Sequence, residues 1–219
     1  MLKTNQIREQ LQQAGRYMME NNLAWGTAGN ISARSSKDSF LISASGTYLG
    51  ELGELDFVDC SLYGNGQYER KPSKELPMHR AVYEERPEIN AILHASPFYS
   101  TLAACSDIEI ANDLFVESMY YLERIERVPY HHPGSDQLAE AVREKASYTN
   151  ILLLENHGVL IFDTSIQEAR MALETLEMNC RMLITARNER ISLNPLPKNT
   201  IKDFLHHSGY KHRRKWEDE

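Results

Sequence analysis

ILLLENHGVLIF at residues 151–162 holds two apolar runs separated by Asn156-His157-Gly158. Apolar runs of this length, bounded by a polar turn, read as two buried strands with a site for a functional side chain between them. The device recurs upstream, where Ile89-Asn90-Ala91-Ile92-Leu93-His94 is an apolar strand that also ends on a histidine. Helical patterns surround both. Ser165 with Glu168 three residues on is a capping box, and Ala169, Ala172, Leu173, Leu176, Cys180 and Leu183 follow on one face. Residues 136–146 form a helix after Pro133-Gly134-Ser135, and residues 98–104 a shorter one. Lys71–Pro77 opens a further helix ending near Arg86, because Pro77 is tolerated only in a first turn. Further out, Ile31–Arg34 and Phe40–Ser43 read as paired short strands, and residues 57–70 as two weak strands around Gly64-Asn65-Gly66. Residues 4–21 are an amphipathic helix with Ile7, Leu11, Ala14 and Met18 on its buried face.

The chain has 219 residues, 42% of them hydrophobic, which suits one domain with a core that needs no disulfide or structural metal. A main domain over residues 1–200 and a charged C-terminal tail over 201–219 are expected. Thirty-one acidic against 24 basic residues give a net charge of −7, which argues against nucleic acid as a partner. No apolar run approaches the ~20 residues of a membrane span, and the first residues lack a signal-peptide core. Cys60, Cys105 and Cys180 are odd in number and widely spaced, as in a reduced cytoplasmic protein.

His94 and His157 each stand where an apolar strand gives way to a turn. Two such imidazoles can meet in a sheet and bind a divalent metal, or each can simply bond its own turn. Glu75 lies in the first turn of its helix, where the dipole favours a carboxylate. Ser73 and Lys74 present a hydroxyl and a cation at that helix start, and the Gly26–Asn30 and Ser45-Gly46 turns add backbone donors, a recipe for binding phosphate. His79, one helical turn after Glu75, has two readings: it orients Glu75, or it hydrogen-bonds a neighbouring loop.

GTAGNISAR (26–34), SASGT (43–47), KPSKELPMH (71–79), AILH (91–94), PGS (133–135) and LLENHGVL (153–160) occur in the order seen in the class II aldolase/adducin family, which the chain resembles over roughly residues 5–190. The resemblance implies a three-layer α/β/α fold around a mostly antiparallel sheet, assembled as a homotetramer with sites between subunits. It implies a metal-dependent lyase acting on a small phosphorylated keto-sugar through an enediolate, with zinc the usual ion and manganese, iron or cobalt as alternatives. Asn30, Ser45, Gly46 and Ser73 match phosphate-loop positions, Glu75 the acid/base, and His94 and His157 two metal ligands. Lys74 stands where a serine is usual, and its charge suits an anionic substrate. Glutamate at 75 favours aldol cleavage over epimerisation, with decarboxylation or dehydration using the same intermediate.

One departure stands out. The family carries His-x-His where this chain has His94-Ala95-Ser96. Glu75 then coordinates directly, or His131 or His132 fills the position, or the metal is lost and the chain is a non-catalytic assembly module like the adducin head. The tail around Tyr210 is either a solvated end or, as the resemblance implies, a lid whose tyrosine donates a proton to substrate.

Overall fold

Seven strands form one sheet in the order β3-β2-β1-β4-β7-β6-β5. The computed structural model describes residues 4–64, 66–212, 214 and 216. The strands are β1 (Asn30–Arg34), β2 (Ser39–Ser43), β3 (Phe57–Ser61), β4 (Ala91–Ala95), β5 (Glu126–Val128), β6 (Ile151–Leu154) and β7 (Gly158–Asp163). Every pairing is antiparallel except β5 with β6. Helices α1 (Thr4–Glu20), α2 (Leu76–Glu85), α3 (Phe98–Ala104), α4 (Val116–Tyr121), α5 (Asp136–Ala146), α6 (Ile166–Glu189) and α7 (Lys198–His207) complete the chain.

The period of two along each strand splits the core between the two faces. Ile31, Leu93, Leu153 and Ile161 point to the face covered by α1, α3 and α6, where Leu11, Met18, Leu173 and Leu176 meet them. Ile42, Ile92, Leu152 and Leu160 point to the opposite face, under Met78 and Val82 of α2 and Leu138 and Val142 of α5. The expected three layers are present, and β4 and β7 at the centre are buried on both sides. Among the described residues no helix is long and apolar enough to cross a membrane. The three cysteines are unpaired, two of them buried.

Three segments differ from expectation. The described residues of 57–70 supply only β3; after it the chain crosses back so that Ala44 bridges Pro72 and the Ser73 N–H donates to the Ser43 carbonyl at 3.1 Å. The hairpin turn at Gly64-Asn65-Gly66 falls on Asn65, outside the described residues. Ser165 caps α6 by accepting from the Glu168 N–H at 3.1 Å, but the Glu168 carboxylate binds Lys211 at 2.7 Å rather than closing the box. The C-terminal segment is helical through His207, and Phe204 and Leu205 pack on the core. Beyond it, Lys211 pairs with Glu168 and Arg214 with Asp163, and the buried Trp216 ring lies under the Arg124 guanidinium at 4.8 Å.

Candidate active site

The β6–β7 hairpin closes through Glu155-Asn156-His157, with Asn156 in the left-handed region at φ 55° and the His157 N–H on the Leu154 carbonyl at 3.0 Å. Gly158 follows because a Cβ there would lie 2.5 Å from the Ala95 carbonyl oxygen and 2.8 Å from Ser96 Oγ. This close approach sets His157 against the end of β4, where His94 sits, and the two ring centroids are 4.7 Å apart. On the other side, β1 pairs Asn30 with His94, and Gly29 approaches so closely that a Cβ would meet the His94 carbonyl oxygen at 2.6 Å. Glu75 enters from the start of α2 as its N-cap residue.

The result is a compact cluster. Glu75 Oε2 lies 3.1 Å from His94 Nε2, and Glu75 Oε1 lies 3.2 Å from His157 Nε2. Ligand atoms from these three residues all fall within 4.8 Å of one another. His94 Nδ1 is 3.0 Å from the Val159 carbonyl oxygen, which can only accept, so that nitrogen carries a proton and Nε2 is the one that faces Glu75. An imidazole nitrogen facing a carboxylate oxygen calls for a proton or a metal cation between them. Glu75 Oε1 is buried with no hydrogen-bond partner, which makes the same demand. Two imidazole nitrogens and one carboxylate oxygen suit zinc, manganese, iron or cobalt, so the residues fit a resident divalent ion.

Burial pushes the Glu75 carboxyl upward, but His94, His157 and the Asn30 amide together outweigh it and hold the group below its ordinary value. Burial and then His94 push His157 down, favouring the neutral imidazole that a metal needs.

Of the sequence candidates, Asn30, Ser45, Gly46, Ser73, Lys74, Glu75, His94 and His157 line a single cleft of about 480 Å³. Lys74 is exposed on its rim, and Ser73 Oγ accepts from the Glu75 N–H at 3.3 Å. Ser96 lines the cleft too, but its hydroxyl donates to the His157 carbonyl at 3.4 Å and braces the turn. His131 and His132 do not join the ligand cluster, the one such group among the described residues, so Glu75 completes it. Tyr210 lies elsewhere in this chain, against Tyr120 and Phe204 in a larger cavity of about 970 Å³ that also includes Asp163, at the opposite end of β7.

Residues 9–184 match the model of the class II aldolase and adducin N-terminal domain. The chain belongs to the class II aldolase/adducin family. It is 31% identical over 201 residues to the 3-oxo-tetronate 4-phosphate decarboxylase of Haemophilus influenzae, covering 90% of this chain and 95% of that one. It is 34% identical over 152 residues to the L-fuculose phosphate aldolase of Methanococcus maripaludis, covering 69% and 81%. Among solved structures, YgbL of Klebsiella pneumoniae, for which aldolase, epimerase and decarboxylase are the named alternatives, superposes with a TM-score of 0.86 at 30% identity, covering 93% and 100%. The chain is a class II aldolase-family lyase of phosphosugars, and the Glu75, His94 and His157 cluster is its possible metal site.

Sequence reasoning missed how far the site extends beneath its surface. His79, fully buried, bonds β1 rather than a loop: its Nε2 meets Asn30 Oδ1 at 2.6 Å and its Nδ1 meets Ser32 Oγ at 2.7 Å. The available signal was Asn30 and Ser32 at alternate positions of an apolar strand, opposite Glu75, His79 and Tyr83 at helical spacing. Burial first, then His94, pushes the His79 pKa down from 6.5 to about 3. The unfolded chain therefore takes a proton near pH 6.5 that the fold refuses until about pH 3, so this stability is full above 6.5 and is lost on acidification. The slope is about 1.4 kcal/mol per pH unit in that window. In urea unfolding of the metal-free protein, lowering the pH from 7 to 5 should cost wild type about 2 kcal/mol more than His79→Gln.

Proposed function

We propose that this enzyme decarboxylates a 3-oxo sugar-acid phosphate, releasing carbon dioxide and a hydroxyketone phosphate. The convergence of Glu75, His94 and His157 with three small-residue loops in one cleft carries the reading. Two features favour decarboxylation. One is the similarity to 3-oxo-tetronate 4-phosphate decarboxylases along nearly the whole chain. The other is Lys74, a cation for a substrate that carries a carboxylate as well as a phosphate.

His94, His157 and Glu75 would hold the divalent ion, which when bound polarises the substrate's carbonyl and neighbouring hydroxyl oxygens. Ser45, Gly46 and Ser73 bind the phosphate and so fix the reacting carbons under Glu75. The bond from the carboxylate carbon to its neighbour breaks, and its electron pair becomes the carbon–carbon double bond of an enediolate. Glu75, ionised at rest, takes up a proton from solvent and delivers it to the carbon that lost carbon dioxide. Aldol cleavage of a phosphoketose passes through the same enediolate with an aldehyde leaving instead, and the similarity to L-fuculose phosphate aldolases favours that as the second reading. The buried, retained cluster speaks against a non-catalytic module.

Carbon dioxide release from a 3-oxo-tetronate phosphate, compared with aldehyde release from a ketose 1-phosphate, separates the two. Carbon dioxide is expected to dominate; aldehyde without carbon dioxide would select the second reading. Ser73→Ala should raise KM for the phosphorylated substrate about tenfold, the worth of one hydrogen bond to a charged group. An unchanged KM would remove Ser73 from the phosphate site.

A further inference from the structure

Glu75 is the first link of a buried hydrogen-bond chain that runs away from the cleft between β1 and α2. Asn30 Nδ2 donates to Glu75 Oε2 at 2.7 Å, and Asn30 Oδ1 meets His79 Nε2 at 2.6 Å. His79 Nδ1 meets Ser32 Oγ at 2.7 Å, and Ser32 Oγ meets Tyr83 Oη at 2.9 Å. Asn30, Ser32, Glu75, His79 and Tyr83 are all buried.

The chemistry of the groups gives the chain one direction. A carboxylate only accepts, so Asn30 must turn its amide N–H to Glu75 and its carbonyl oxygen to His79. That oxygen requires the His79 proton on Nε2, which leaves Nδ1 bare to accept from Ser32. Ser32 in turn accepts from the Tyr83 hydroxyl. The far end is anchored: the Arg34 guanidinium lies 4.8 Å from the Tyr83 ring centroid and donates to the Tyr83 carbonyl at 2.8 Å. At the near end Glu75 Oε1 has no hydrogen bond, so the Asn30 amide is what fixes the rotation of the carboxylate.

We propose that His79 is a positioning residue which, through Asn30, holds the Glu75 carboxylate in the plane that points one oxygen at His94 and the other at His157. The proposal rests on the metal-dependent lyase reading. It goes beyond it in assigning a function to a residue that touches neither substrate nor ion. His79 selects the orientation of the Asn30 amide, and the amide selects the orientation of the carboxylate. Groups behind a metal ligand of this kind typically change metal affinity or activity by about 10–100-fold.

Two substitutions at position 79 separate orientation from packing. Glutamine places an amide N–H near the position of Nε2 and keeps the bond to Asn30. Asparagine places its amide near Nδ1, keeps Ser32 and falls short of Asn30. Cobalt(II) titration followed by the visible spectrum, with kcat and KM measured alongside, is the experiment. His79→Asn should bind cobalt about 10–100-fold more weakly and lose kcat by a similar factor with KM little changed. His79→Gln should restore both to within a few-fold of wild type. Asn30→Ala, which removes the intermediate link and leaves α2 untouched, should match His79→Asn, and it carries the test if the position-79 variants do not fold. Wild-type cobalt affinity in His79→Asn or Asn30→Ala would overturn the proposal, as would equal impairment of His79→Gln and His79→Asn. Wild-type protein that binds no cobalt would instead overturn the functional reading, and this proposal with it.

Discussion

Glu75→Gln is expected to lower kcat by roughly 10²–10⁴-fold, the usual contribution of a positioned general acid–base group. The substitution is nearly isosteric, so the cleft keeps its shape. The substituted amide would satisfy the Asn30 N–H with its one carbonyl oxygen and turn its NH2 toward the histidines. It then offers no oxygen opposite the second imidazole and no proton to the enediolate. The lost proton falls on a step after binding, and with the ion saturating, KM for the phosphorylated substrate should change far less than kcat because the phosphate loops are untouched. The metal-free variant should be less stable than wild type at neutral pH, since a carboxyl held below its ordinary value is net stabilised by its neighbours in its ionised form. Steady-state kinetics and a urea melt measure both. A variant retaining a tenth or more of wild-type kcat would show that some other group moves the proton.

His157→Ala should abolish metal binding at micromolar ion. The cluster holds only three ligand residues, and Ser96 is occupied in bracing the turn, so nothing replaces the lost imidazole. The loss should exceed the ~10–100-fold typical of groups behind the ligands. In wild type, an ion at 100 times its Kd stabilises the fold by about 2.7 kcal/mol, visible as a raised Tm. His157→Ala should show no rise in Tm with zinc, manganese or cobalt, and its metal content after gel filtration should be near zero. Ser96→His tests the converse. A third imidazole beside His94 should tighten binding, and unchanged affinity would mean that Glu75 already satisfies the ion.

The strands that position the site were legible because β4, β6 and β7 are apolar runs bounded by polar turns. The loops were legible from their order along the chain. What stayed hidden was short or polar. β5 is three residues, Glu126–Val128, with a glutamate and an arginine in it, and α4 is a six-residue helix, too short for a period to show. α7 carries Ile201, Phe204 and Leu205 at helical spacing, but the basic residues after it made the segment read as a charged tail, either a solvated end or a lid. The chain from Glu75 to Tyr83 was hidden for a deeper reason. Asn30, Ser32 and Arg34 alternate along β1 as solvent-facing residues would, and only the packing of α2 over that face shows the stripe to be buried. A polar stripe looks the same in sequence whether water or another polar stripe covers it. The replacement of the second histidine at position 96 was visible at once, whereas its consequence, Glu75 as the third ligand, needed the distances.

A dependence of lyase activity on one divalent ion held by Glu75, His94 and His157 is proposed. Its most direct test is stoichiometric reconstitution: chelator-treated protein is titrated with zinc, manganese or cobalt while carbon dioxide release from a 3-oxo-tetronate phosphate is followed. Activity absent after chelation and restored to its plateau at one equivalent of ion per chain is the predicted result. Full turnover in the metal-free protein would contradict the account.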